Sequence, residues 1–405
     1  MQHITIRNGL VLLFGVLLFG IIVVGLHNAF TSKVPGANDF YPRWRGSQLF
    51  WQDGIDPYSD GATQAIQEGI YGRPALPEED QVLFVYPFYT VFFLLPMSWL
   101  NYEWAQPVWL AVVMLSVITA VLLTLKLVEW KMPFWLLAIT FIWAIFFYNS
   151  SRTVILGQFA GPVFLAMVAA LLALKRDRDV AAGLLLALST VKPQMTFLLV
   201  IALLIWAVGQ RRWHFVGSFI AAMLLLTGLS FALLPGWLFS FVDQVLFYPA
   251  YTFTGSSLWV ITGYYWPWLG KPVENGLILL LMAYLIWQWR KLWRLPLSSP
   301  QFLIIISLTL IITNMVVVRT ATTNYIIMYI PLFLALKAIS SKWRRGDLWV
   351  ALIMLGSIVG MWVLFLASVQ GDTEHPIMYL PLPFLLLPIM MWANYQANRG
   401  RVTAV

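Results

Sequence analysis

VAAGLLLALSTVKPQMTFLLVIALLIWAV occupies residues 180–208. A membrane span needs about 20 apolar residues, so this run is too long for one simple crossing. Lys192-Pro193 cuts it near the middle. Proline lacks a backbone donor and disfavours helix at the residue before it. The spacing therefore predicts two short helices meeting at Lys192, a hairpin rather than a single span. A lysine between two apolar half-helices lies at membrane depth, where an ionisable group is expensive and a functional candidate by default. It suits a phosphate as a point-charge partner. The plainer alternative is a side chain snorkelling to the interface.

The same apolar character extends along the whole chain. Of the 405 residues 60% are hydrophobic and only 10% charged, against about 45–50% and about 25% in soluble domains. Lipid must cover that surface. Apolar runs at 8–27, 104–127, 133–149, 157–174, 214–234, 275–291, 300–318, 324–340, 347–369 and 376–394 each read as a span. The run from Leu10 to Leu26 exceeds a typical signal-peptide core, and no small-residue cleavage site follows, so it reads as a retained first helix. The run 82–99 is broken by Pro87 and Pro96 and reads as re-entrant or otherwise non-crossing.

Charge fixes the topology. Lys and Arg stay cytoplasmic in short loops. The basic clusters Lys126/Lys131, Lys175-Arg176/Arg178, Arg211-Arg212, Arg290-Lys291/Arg294, Lys342/Arg344-Arg345 and Arg399/Arg401 share one side only if 180–208 is a hairpin and 82–99 does not cross. The expectation is an all-α polytopic membrane protein, a single domain over 1–405 with about twelve transmembrane helices and both termini cytoplasmic. On that topology 17 of the 25 Lys and Arg residues face inward, against 4 of the 17 Asp and Glu residues. The net charge of +8 is thereby explained by topology, and no nucleic-acid partner is expected. Two long loops lie outside. The first, 28–103, is acidic and aromatic and carries short helices with the re-entrant segment. The second, 235–274, holds Tyr248, Tyr251, Phe253, Trp259, Tyr264, Tyr265, Trp266 and Trp268, residue types that favour the membrane surface. There is no cysteine, and the four histidines are scattered. That excludes disulfides and thiolate chemistry and predicts no metal site.

The outer face gathers the chemistry. Asn38-Asp39-Phe40-Tyr41-Pro42-Arg43-Trp44-Arg45 follows the first span. Asp39 suits a general base for a hydroxyl, or, on the plainer reading, the N-cap of a short helix over Tyr41–Gln52. Asp56-Pro57-Tyr58 reads as a turn. Arg152 and Gly157-Gln158 fall in the outer loop before the span 157–174, with Gln158 at a helix start. Arg319 with Thr320, Thr322, Thr323 and Asn324 forms a polar turn suited to an anion. His375, after Asp372 and Glu374, is an exposed loop residue outside the candidate set. A carboxylate at Asp39 with cations at Lys192, Arg319 and Arg152 suits a lipid-linked phosphate leaving group and an acceptor that needs a base. Gln158, Arg43, Tyr86 and Asn324 complete the candidate set as substrate contacts.

These patches carry a resemblance. Asp39-Phe40-Tyr41 followed by Gly54-Ile55-Asp56-Pro57-Tyr58, then Tyr86-Pro87-Phe88 leading to Leu94-Leu95-Pro96, then Gly157-Gln158, Ala182-Gly183-Leu184 and Val191-Lys192-Pro193 resemble glycosyltransferase family 87, within the C-type membrane glycosyltransferases. The resemblance covers about residues 30–200 well, and the C-terminal half by hydropathy alone. It implies transfer of a hexose, usually mannose, from a polyprenyl-phosphate donor to an acceptor hydroxyl with inversion, at the outer face of a bacterial inner (plasma) membrane. It implies Asp39 as base, Lys192 near the donor phosphate, and no metal or cofactor. The acceptor would be a glycolipid, a glycan or a protein. The family often carries a histidine in the outer turn where Asn324 stands, and asparagine cannot titrate.

Two other readings stand beside this one. A lipid or solute carrier would place polar groups at the midplane, reachable from both sides, whereas these candidates cluster on one side. A scaffold subunit of an envelope-polysaccharide assembly would resemble this chain except at Asp39, which is present.

Overall fold

The computed structural model describes residues 2–34, 36, 38–252, 255–371 and 373–400, and within the first helix the side chains of 2–8, 10 and 12 are not described. Phe253, Asp372 and Arg401 of the sequence reading lie outside the described residues, as does the side chain of Arg7. Among the described residues there is no β-strand.

Helix α1 (Gln2–Leu26) leads through a π-turn into the first loop, which holds α2 (Tyr41–Asp53), α3 (Asp60–Tyr71) and α4 (Thr90–Ser98). Then follow α5 (Tyr102–Leu127), α6 (Phe134–Phe146), α7 (Tyr148–Ile155), α8 (Ala160–Lys175), α9 (Asp179–Ser189), α10 (Pro193–Gly209) and α11 (Trp213–Leu233). The second loop carries α12 (Trp237–Tyr251) and the short α13 (Ser257–Trp259). The chain closes with α14 (Gly270–Leu292), α15 (Pro300–Val316), α16 (Tyr329–Lys342), α17 (Gly346–Ser368) and α18 (Pro381–Asn398). The all-α polytopic expectation holds.

The expected count of about twelve crossings is not confirmed by helix length. Among the described residues seven helices are long and apolar enough to cross a membrane, or eight if the bent pair α6–α7 is one span. Helices α8, α9, α10 and α15 are apolar but have 16, 11, 17 and 17 residues. At about 1.5 Å per residue each is shorter than the ~30 Å hydrocarbon core. Protein covers α8, which packs on both α5 and α9, and α15, which packs on α10, α14 and α18, whereas α9 leaves Val180, Leu184 and Leu188 exposed and α10 leaves Phe197 and Ile201 exposed. Helix α4, with nine residues, is also too short to cross, as its prolines imply.

Two local readings change. The span expected over 133–149 ends at Phe146, because Phe147 adopts extended backbone (ψ 134), and the chain restarts as α7 at a 47° bend. Arg152 therefore sits on a helix, not in a loop. The second outer loop is likewise largely helical, through α12.

Chain direction sorts the charges by end. Lys175 binds the Leu127 carbonyl at 3.1 Å and Glu129 at 2.6 Å. Lys337 binds the Val128 carbonyl at 2.9 Å, and Arg212 pairs with Asp177 and Asp179. These contacts tie the ends of α5, α8 and α16 to the starts of α9 and α11 at one basic end. The hairpin tip at Lys192 and the starts of α5 and α8 lie at the opposite end.

Close packing sets α9 against α11. A Cβ on Gly183 would stand 2.1 Å from Ser218 Oγ and 2.6 Å from the Phe215 carbonyl, so only glycine lets the two backbones approach. Gly183→Leu is expected to cost about 1–3 kcal/mol through overpacking, read as a lower Tm of the detergent-solubilised protein. An unchanged Tm would mean that α9 and α11 are not held this closely.

Candidate active site

The opposite end is assembled from the first loop, the hairpin tip and α12. Helix α2 begins at Phe40, which is its N-cap residue, and no side chain caps it. Asp39 is thus not a helix cap. Among the described residues no side chain pairs with its carboxylate; only its backbone carbonyl is engaged, by Arg43 Nη1 at 3.1 Å. Arg43 also lies 4.5 Å over the Tyr86 ring. Its Nε is buried without a partner.

Tyr86 is fixed from behind. Asp56 accepts the Tyr58 N–H at 2.8 Å in the expected turn, and the Tyr58 hydroxyl donates to the Tyr86 carbonyl at 2.5 Å. Burial pushes the Tyr86 hydroxyl well above its ordinary pKa, against the pull of Arg43.

Lys192 is 3% exposed. Its Nζ donates to Gln158 Oε1 at 2.5 Å, and its charge is within electrostatic reach of Asp39 and Arg43. An ammonium has three donors, and among the described residues no carboxylate pairs with this one. Gln158 is buried as well. It follows Gly157, whose φ of +65° reverses the chain between α7 and α8, and whose carbonyl is held by Trp109 Nε1 at 2.7 Å. An apolar groove of about 290 Å³ adjoins this pair, lined by Phe93, Trp109, Phe159, Val163, Leu185 and Val191. Phe159 and Val191, which line it, are the chain neighbours of Gln158 and Lys192, although neither polar residue lines the groove itself.

Helix α12 closes the other side. Gln244 Oε1 accepts the Val85 N–H at 3.0 Å. The Tyr248 hydroxyl is within electrostatic reach of Asp80, Asp39, Arg43 and Arg319. Arg319 Nη2 donates to the Pro249 carbonyl at 2.9 Å, and its guanidinium stands 5.9 Å from the Trp259 ring. The cluster therefore unites Asp39, Arg43, Tyr86, Gln158, Lys192 and Arg319 of the candidates expected from sequence.

Arg152 and Asn324 are placed differently. Arg152 lies 5.4 Å over the Phe365 ring, beside a second hub in which Glu374 accepts hydrogen bonds from Tyr148 and, at 2.7 Å, from Thr322. None of its recorded contacts reaches Asp39, Lys192 or Arg319. Asn324 Nδ2 donates to Thr320 Oγ1 at 3.1 Å, and its Oδ1 is buried without a partner. His375, set aside as an exposed loop residue, is half-buried and meets the Tyr264 hydroxyl at 3.0 Å.

Sequence reasoning missed Asp80. Its Oδ1 accepts the Val82 N–H at 2.9 Å. Asp80 is exposed at the surface, yet desolvation by the neighbouring protein pushes its carboxyl up, the Val82 N–H opposes this, and the Asp39 charge reinforces it. Val82 and Val85 have φ of 46° and 43°, a region costly for β-branched residues, and such outliers gather at functional sites. Sequence carries no signal for that strain. The inward positions Gln244, Tyr248 and Tyr251 were missed too, Tyr248 and Tyr251 having been read as membrane-surface aromatics, although their helical spacing was a usable signal.

A carboxylate unpaired among the described residues, several cations and an apolar groove make an arrangement with the groups that proton abstraction beside an anion requires. No curated protein and no solved structure matches the chain. The model of glycosyltransferase family 87 matches residues 84–320, more than half of the chain. The match takes in Tyr86, Gln158, Lys192 and Arg319 and begins beyond Asp39 and Arg43. The chain belongs to glycosyltransferase family 87.

Proposed function

We propose that this glycosyltransferase moves a hexose, mannose in the first instance, from a polyprenyl-phosphate donor to an acceptor hydroxyl at the extracytoplasmic face, with inversion. The observation that carries this reading is an Asp39 carboxylate, unpaired among the described residues, within electrostatic reach of a buried Lys192 that no described carboxylate pairs with and that follows Val191, a residue lining an apolar groove.

In this mechanism the prenyl tail lies in the groove and the phosphate meets Lys192 and Arg319. Asp39 takes the proton from the acceptor hydroxyl as its oxygen attacks the anomeric carbon. The bond from that carbon to the phosphate oxygen breaks on the opposite face, and polyprenyl phosphate leaves with the electron pair. Lys192 and Arg319 stabilise the charge on the departing phosphate, where preorganised cations act most strongly. Gln158 orients the Lys192 ammonium. Arg43 and Tyr86 shape the wall beside Asp39, and Asn324 supports the Arg319 turn. The acceptor is a glycolipid, a glycan or a protein. The gathering of the basic clusters at the other end supports the orientation, with both termini cytoplasmic.

The test is transfer by the purified protein in liposomes, with radiolabelled polyprenyl-phosphate mannose as donor and a membrane extract as acceptor. Asp39→Asn is expected to lower turnover by roughly 10²–10⁴-fold, the usual worth of general-base catalysis, with an unchanged elution profile. A fully active Asn variant would remove Asp39 from the mechanism.

Lys192→Met keeps the length of the side chain and removes its charge. It is expected to weaken donor binding by roughly 10–100-fold, the worth of a charge-assisted hydrogen bond of about 1.5–3 kcal/mol. Donor titration checks this, and unaltered affinity would move the phosphate elsewhere.

A further inference from the structure

Helix α12 carries three chemically distinct faces. Trp237, Phe241, Gln244, Tyr248 and Tyr251 recur at intervals of three and four and turn toward the protein, buried or half-buried. Leu238, Phe239, Val242, Val245 and Leu246 share a second face and are exposed, Phe239 by 75% and Leu246 by 73%. Asp243 and Ser240 lie on the flank between them, together with Phe247, which is exposed by 53%, and Asp243 is the helix's only charged residue.

A water-exposed helix has no reason to present such an apolar stripe, and a spanning helix would have no charged flank. The stripe also continues a surface that faces lipid. Helix α11, a membrane-spanning helix, exposes Leu224 by 67% and Leu225 by 61%, and only Leu234–Gly236 separate it from α12. Exposed Trp266 and Trp268, at 52% and 79%, stand at the start of the next span, as aromatic residues do at a membrane–water interface.

We infer that α12 lies in the bilayer interface, its Leu238–Leu246 face buried in lipid, its Asp243 flank in the headgroup water and its inner face roofing the active-site cluster. Helices of this kind sink their apolar face a few ångströms into the acyl boundary. The roof is then seated on the bilayer as much as on the protein. Its bonds to the cluster, Gln244 to Val85 and Pro249 to Arg319, set the Tyr248 hydroxyl at the depth of lipid headgroups. The inference does not depend on the sugar, the donor or the role of Asp39.

The chain has no cysteine, so single cysteines report on α12 without background. Leu246→Cys, Phe239→Cys and Asp243→Cys are labelled with bimane in phosphatidylcholine vesicles. A shallow doxyl-labelled lipid and aqueous iodide serve as quenchers. Labels at 246 and 239 are expected to lose roughly half their emission to the doxyl lipid and to resist iodide, as an apolar face buried in the acyl boundary would. The label at 243 is expected to show the reverse. Iodide reaching 246 and 239 as readily as 243, with no lipid quenching, would overturn the inference and place the face in water. Quenching of neither label by either agent would also overturn it, and would assign the face to a second copy of the chain. The three sites are exposed, and unaltered elution of each variant verifies folding.

Discussion

A lysine ammonium buried where two half-length helices meet is the constraint around which the opposite end of the bundle is arranged. Desolvating a cation costs several kcal/mol even after relaxation, and one amide oxygen, that of Gln158 at 2.5 Å, cannot offset that alone. Gln158 must therefore be held firmly. Gly157 makes the reversal that presents it, Trp109 pins the Gly157 carbonyl, and α8 packs between α5 and α9. Proline after Lys192 keeps its own missing N–H at the first turn of α10, where it breaks no bond. An arrangement this costly to the empty protein makes sense when an anion completes it.

The same economy runs through the surroundings of Asp39. Arg43 is spent on a backbone carbonyl and the face of Tyr86 rather than on the neighbouring carboxylate. The acid is left open while a positive charge stays close. The strained turn at Val82 and Val85 brings Asp80 into the same field. Gln244 of α12 holds that turn through the Val85 N–H, so roof and wall share one bond.

Much of this was legible in the sequence, for physical reasons that differ from residue to residue. Lys192-Pro193 announced its hairpin because proline and charge both act locally. The apolar runs located nearly every long helix, because lipid leaves little choice of residue. Helix length was less legible: α8 and α15 are apolar because protein buries them, which reads like burial in lipid, while α9 and α10 are short yet still expose apolar side chains such as Val180, Leu184 and Ile201. The break at Phe147 had no proline or glycine to mark it. It follows from tertiary packing, with Trp143 and Tyr329 against the Phe147 ring at 4.5 and 5.9 Å. Arg152 was read as a loop residue, and not as part of α7, for that reason. Asp80 was invisible because its proximity to Asp39 depends on a backbone conformation that valine rarely adopts.

Helix α2 lies on α4 and binds its backbone directly: Trp51 Nε1 donates to the Val91 carbonyl, Trp44 Nε1 to that of Met97 and Gln52 Nε2 to that of Ser98, at 3.0, 3.0 and 2.6 Å. A nine-residue helix with an internal proline leaves carbonyls that hydrocarbon cannot satisfy. The donors on α2 satisfy carbonyls of α4 that lipid could not, so these two segments of the first loop stand or fall together.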